Sequence, residues 1–186
     1  MGPIPHTLSD HLCLDFVNSR LTDHLGGGAV MDRVDAAEWR AWFVERWHLG
    51  PIFARPSLEQ LKAARETVRS VLQDWAGGKV PRRSHLKALD AWLAAAAVRR
   101  RLDGKVEPVR RDWDWVIAEV VASATELMAA AEPVRLKGCA NPGCTWMFWD
   151  ESKNVSRRWC DPRTCGNLVT VREFRRRKRE DQLRAR

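Results

Sequence analysis

Tyrosine is absent from this 186-residue chain. No apolar run approaches the ~20 residues that a membrane-spanning helix needs, so a helical membrane protein is not expected. Met1 to Leu12 has no cationic start and no long apolar stretch, so no secretory leader is expected. The chain is therefore expected in the cytoplasm, where stable disulfides are disfavoured. Histidines number five (His6, His11, His24, His48 and His85) and are scattered. No nucleophile motif or phosphate-cradling glycine loop accompanies them, so no enzyme is expected. There is no internal repeat, and no heptad seam specifies a coiled-coil dimer. Lysine is scarce, 7 residues against 25 arginines, and ten tryptophans stand against the missing tyrosine. Those two biases carry no mechanism by themselves.

What is present is a set of four cysteines near the C-terminus: Cys139, Cys144, Cys160 and Cys165. They form two C-x4-C knuckles. Each loop, Cys139-Ala-Asn-Pro-Gly-Cys144 and Cys160-Asp-Pro-Arg-Thr-Cys165, contains residues that turn the chain tightly, so both sulfurs can face one point. Thiolates are soft ligands, and four of them close a tetrahedral shell around Zn²⁺. Disulfides and an iron–sulfur centre are the alternatives; two matched short knuckles fit one structural zinc more simply. Cys13 stands apart and reads as a small buried hydrophobe.

The net charge of +8 is unevenly placed. Residues 1–134 carry 18 basic and 18 acidic side chains, whereas residues 135–186 carry 14 basic and 6 acidic ones. A zinc bound by four thiolates adds about −2, which leaves the segment a strong positive field for a polyanion.

The periodicity predicts a mainly α protein. A short helix capped by Ser9 should run through Leu12, Phe16, Val17 and Leu21, followed by a loop at 23–28. Asp35, with Glu38 as capping-box partner, should open a helix with Trp39, Trp42, Phe43 and Trp47 at helical spacing, stopped by Gly50-Pro51. Ser57 with Gln60 opens the next helix, which ends at Gly77-Gly78. Ser84 opens another, with Leu86, Leu89, Trp92, Leu93 and Ala96 inward. Asp103-Gly104 predicts one small β-hairpin, in which Pro108 marks an edge strand. A last helix of this part spans Trp115 to Ala131, and Pro133 marks the boundary. The expected organisation is a helical domain at 1–134 and, at 135–186, a small zinc-ribbon-like finger followed by a basic helix. In the finger, Trp146, Phe148 and Trp149 have strand character. From Val169 the chain reads as a helix with Phe174 and Val171 inward. Arg172, Arg175, Arg176 and Arg179 lie three or four apart and share a face that suits phosphates.

Over about forty residues the chain resembles the CGNR zinc-finger family. The matching residues are the first knuckle, Trp146-Met-Phe-Trp-Asp150, Ser152-Lys-Asn154, Ser156-Arg-Arg-Trp-Cys160 and Cys165-Gly166-Asn167. Leu12-Cys-Leu-Asp15-Phe16-Val17-Asn18-Ser19 is similar to the Leu-Asp-Phe-Val-Asn signature of the ABATE domain, which usually precedes that finger. The resemblance implies a bacterial, stress-responsive transcription regulator, with the finger binding DNA at the nucleoid and the first domain as sensor. One departure stands out: Leu168 occupies the place of the family's arginine, and Thr170 that of a common lysine. Two cationic contacts are missing there, which weakens or redirects DNA binding.

The expected nucleic-acid contacts are Arg157, Arg158, Asn167, Arg172, Arg175, Arg176 and Arg177, with DNA as the first partner and RNA as a variant. Asp15 and Asn18 lie three apart in an otherwise apolar helix. They read either as a structural hydrogen-bonding pair or as the polar anchor of a small-molecule effector pocket. A homodimer would suit paired half-sites. The alternative function is a protein-interaction adapter in which zinc only folds a platform.

Overall fold

The computed structural model describes residues 10–22, 28–104, 106–130 and 132–184. It is mainly helical, and three two-stranded antiparallel hairpins interrupt the helices. The first helix, α1 (Leu12–Val17), is short and almost wholly buried. Ser9 lies outside the described residues; His11 precedes the helix and gives no side-chain cap. The helix stops at Asn18, so Leu21 is not its last turn. It belongs instead to a strand, β1 (Arg20–Thr22), that pairs with β2 (Val30–Asp32). That hairpin was not expected from the sequence. Part of the expected glycine loop, residues 23–27, falls outside the described residues.

Asp35 does not open the second helix. It ends a 3-10 turn, Arg33–Asp35, in which Asp32 accepts from the Val34 N–H, and α2 (Ala37–Arg46) begins two residues later without a side-chain cap. The helix has already ended at Trp47, before the cis Gly50-Pro51 bond. For α3 (Leu58–Ala76) the expected cap is present: Ser57 Oγ accepts from Gln60 N at 3.2 Å, and Gly77 ends the helix. Next, α4 (Arg83–Ala95) starts one residue before Ser84, which therefore sits in the first turn and does not cap. Of its expected inward positions Leu89 is buried, while Leu86 and Leu93 are exposed because the helix packs along one narrow line. The Asp103-Gly104 hairpin forms as expected. Strands β3 (Val98–Arg100) and β4 (Val106–Pro108) pair with Val98 opposite Pro108. Asp112 caps α5 (Trp113–Ala129) by accepting from Trp115 N at 3.0 Å, so this helix begins two residues earlier than expected.

One core joins α1, α2, α3 and α5, centred on Phe16, Phe43, Leu61, Val68, Ile117 and Val121. It also takes in Leu136 and Met147 from a third hairpin, β5 (Leu136–Gly138) with β6 (Met147–Trp149). Strand alternation explains how β6 serves two sides. Met147 and Trp149 pack against the helical core, and Phe148, between them, packs among the cysteines. At the seam the Asn18 amide pairs with the Met147 backbone in both directions. Nδ2 donates to the carbonyl at 2.8 Å, and Oδ1 accepts from the N–H at 2.9 Å. Arg69 of α3 donates to Thr145 O at 2.6 Å and to Val17 O. A further cross-link is buried at the β2–α3 contact: Arg65, 2% exposed, holds Asp32 through two bonds of 2.6 and 2.8 Å.

Candidate metal centre and basic helix

The finger folds around its sulfurs. The Sγ atoms of Cys139, Cys144, Cys160 and Cys165 lie within 4.8 Å of one another. Cys144 and Cys160 are 3.8 Å apart, and Cys160 and Cys165 are 3.5 Å apart. Zn–S bonds of about 2.3 Å at tetrahedral angles place sulfurs roughly 3.8 Å apart, so the spacing fits zinc. Two N–H groups also point at sulfur, each at 3.4 Å: Cys160 N on Cys139 and Asn141 Nδ2 on Cys165. Such donors favour thiolate. As thiols, Cys139, Cys144 and Cys160 would compete for protons. Bonds from Cys144 and then Cys160 pull Cys139 down to about 2, whereas the contact with Cys139 pushes Cys144 up to about 12. A divalent cation removes that conflict by taking the place of the protons. Four sulfurs close the shell and leave no open position, as in a structural site. Cys13 is buried in the helical core, and its thiol is pushed up to about 12 by burial.

Asp150, which the sequence marks only as part of the family match, is the polar hub of the finger. Its side chain is fully buried. It accepts from Lys137 Nζ at 2.7 Å, Ser152 Oγ at 2.6 Å, and the N–H groups of Ser152 and Arg157 at 2.9 Å each. Burial pushes this carboxyl up, but the bonds from Lys137, Ser152 and Arg157 outweigh it and hold the group well below the usual range. The Asp-x-Ser spacing, an Asx-turn signal, was the cue in the sequence.

The expected nucleic-acid contacts separate into two groups. Arg157 turns inward. Its Nε donates to Trp159 O at 2.9 Å, its Nη2 donates to Cys160 O, and its guanidinium lies 4.7 Å from the Phe148 ring centroid. Arg158 is exposed and stacks over Trp159. The chain then passes through a π-helical turn, Pro162–Gly166, straight into α6 (Asn167–Arg184). Asn167 stands at the start of that helix and donates to Arg163 O at 3.0 Å. Arg172, Arg175, Arg176 and Arg177 are exposed on it, with Arg176 bonded to Glu180 at 2.7 Å. Every described residue from Thr170 to Arg184 is exposed. Phe174, 67% exposed, and Val171 therefore do not face inward as expected. The helix leaves the finger instead of folding back on it.

Of the two polar residues that stand three apart here, Asn18, at the end of α1, forms the seam bonds to Met147, and Asp15, within the helix, accepts from Trp47 Nε1 at 3.1 Å. The two side chains point to different partners. Burial pushes the Asp15 carboxyl up to about 7. No helix among the described residues is long and apolar enough to cross a membrane.

Residues 135–178 match the family model of the CGNR zinc finger. Residues 10–131 match the ABATE model, whose description reads "Putative stress-induced transcription regulator". No curated protein matches the chain. Neither family is described as one of enzymes. With about two thirds of its length under the second model and four converging cysteines under the first, the chain belongs to the ABATE family and ends in a CGNR zinc finger holding one structural zinc.

Proposed function

We propose that the protein is a DNA-binding regulator in which residues 135–186 contact the nucleic acid and residues 1–134 sense an effector or dimerise. The observation that carries this reading is the position of the basic helix. It follows the last zinc ligand, Cys165, with one glycine between, and its arginine-rich face is exposed along its length. A helix so presented can lie along phosphates or enter a major groove. Arg172, Arg175 and Arg176 are the central contacts, with Arg158, Arg177 and Asn167 beside them. Arg157 contributes by holding the second knuckle. Binding of the zinc-loaded protein to a mixed DNA pool across a salt series tests the reading. A steep salt dependence is expected. Changing Arg172, Arg175 and Arg176 together to Ala should reduce the log–log slope by about three units, with zinc content unchanged. Salt-insensitive binding, or binding that persists after chelation, would overturn it. A preference for an RNA pool would redirect the target and leave the surface the same.

A second reading has its own support. Leu168, Val171 and Phe174 recur every three residues on α6, and the last two are exposed. An apolar strip at that spacing suits a protein groove, and Leu168 begins it where the family carries arginine. Failure of the folded, zinc-loaded protein to bind DNA at low salt would favour this adapter role.

A further inference from the structure

A cavity of about 500 Å³ opens where α1, the end of α2, α5 and β6 meet. Both halves of the chain build it. Trp47 closes α2, His11 precedes α1, Glu119 and Glu126 lie two turns apart on one face of α5, and Trp149 comes from the finger. The two indoles are fixed in place. Trp47 donates its Nε1–H to Asp15, the residue that the sequence marked as a possible anchor. Trp149 is met edge-on by the His11 ring, with centroids 5.6 Å apart.

Among the described residues, the charged groups that line the cavity are the carboxylates of Asp10, Glu119 and Glu126, in a chain of net charge +8. Burial holds His11 below the ordinary imidazole value, against the opposing pull of Glu151 and Asp10, and so disfavours its cationic form. Burial, and then the neighbouring Glu126, push the Glu119 carboxyl upward. A positive guest would relieve both costs. Among the described residues, the four cysteines are the group that converges closely enough for a metal ion. The cavity's carboxylates form no such group and suit a larger cation. Indole faces attract such cations, and the volume lies in the range of small-molecule sites. At the rim the chain itself displays this preference: the Arg46 guanidinium lies 5.2 Å from the Trp47 ring centroid and 3.8 Å from Asp10.

We propose that this cavity binds a small organic ammonium ion, seated against Trp47 and Trp149 and neutralised by Glu119 and Glu126. The site names an effector class for the sensing part and takes its regulatory meaning from the proposed function. Trp149 immediately precedes Asp150, so a guest pressing on the indole presses on the strand that carries the hub of the finger. The binding itself is independent of nucleic acid and is tested without it.

Zinc-loaded full-length protein is titrated with tetramethylammonium chloride and with 1,4-diaminobutane by calorimetry, at an ionic strength held constant with NaCl. The neutral isostere tert-butanol serves as control. Saturable binding of an ammonium probe is expected, with none of the alcohol. Glu119→Gln should weaken it about tenfold, and Trp149→Leu at least as much, with zinc content unchanged. Should Trp149→Leu fail to fold, Glu119→Gln and Glu126→Gln on the accessible side of α5 carry the test. No saturable binding, equal binding of the alcohol, or binding unchanged in both glutamine variants would overturn the proposal. Loss of DNA binding in the salt series would leave these titrations unaffected, so the two readings fail separately.

Discussion

Asn18 places both ends of its carboxamide on one residue, Met147, and so joins α1 to the finger strand by a pair of bonds resembling a strand ladder. Asn18→Ala would leave a buried N–H and a buried carbonyl without partners. A loss of about 2–4 kcal/mol is expected, measured by denaturant unfolding of the zinc-loaded protein; Asn18→Asp should recover only part of it, because a carboxylate cannot donate to the Met147 carbonyl. At this scale the sequence was legible wherever the chemistry was local. The four cysteines announce themselves by spacing, and their convergence follows from two tight turns. The seam pair was not legible, since its partners lie 129 positions apart. The Asp32–Arg65 pair is hidden for the same reason, at a separation of 33. Arg157 and Arg158 look alike in sequence. Only the packing of Phe148 and the carbonyls of the second knuckle separate the arginine that turns inward from the one that stays out.

Among the elements, the long helices were readable because their apolar spacing runs over many turns, and α3 even shows its cap and its stop. The short pieces were not. The β1–β2 hairpin is three residues a side, too brief to show a period, and Leu21 extends the α1 pattern by coincidence of spacing. The β5–β6 hairpin depends on Asp150, whose four hydrogen bonds tie the end of β6 to Lys137 on β5 and to the turn that follows. Asp150→Asn should lower the unfolding temperature of the finger by roughly 5 °C or more. The pH dependence has a definite sign. This carboxyl is held below its unfolded value of about 3.9, so its contribution is complete above that pH and is lost as pH falls further, toward the folded value. The difference between wild-type and Asp150→Asn stability curves should therefore shrink specifically below about pH 4.

Taken whole, the molecule is less divided than its charge suggests. The basic excess lies beyond residue 134, yet Leu136, Met147 and Trp149 pack into the same core as α1 and α3. Removing zinc should accordingly loosen the helical part as well as the finger. Hydrogen exchange after chelation is expected to show lost protection in α1 and α3; unchanged protection there would mean that the finger melts alone. Two segments of the sequence thus share one continuous interior, which no pattern of hydrophobicity along the chain could reveal. The projecting helix carries a last consequence. Eighteen residues extend about 27 Å from a base set by Cys165 and by Gly166, whose Cα faces the Trp159 ring so closely that an added methyl would sit 3.0 Å from it. The helix is a lever with its fulcrum at the metal. A tilt of some 10° at that fulcrum would swing the far arginines by about 5 Å over this length, so the zinc shell sets the aim of side chains that it never touches.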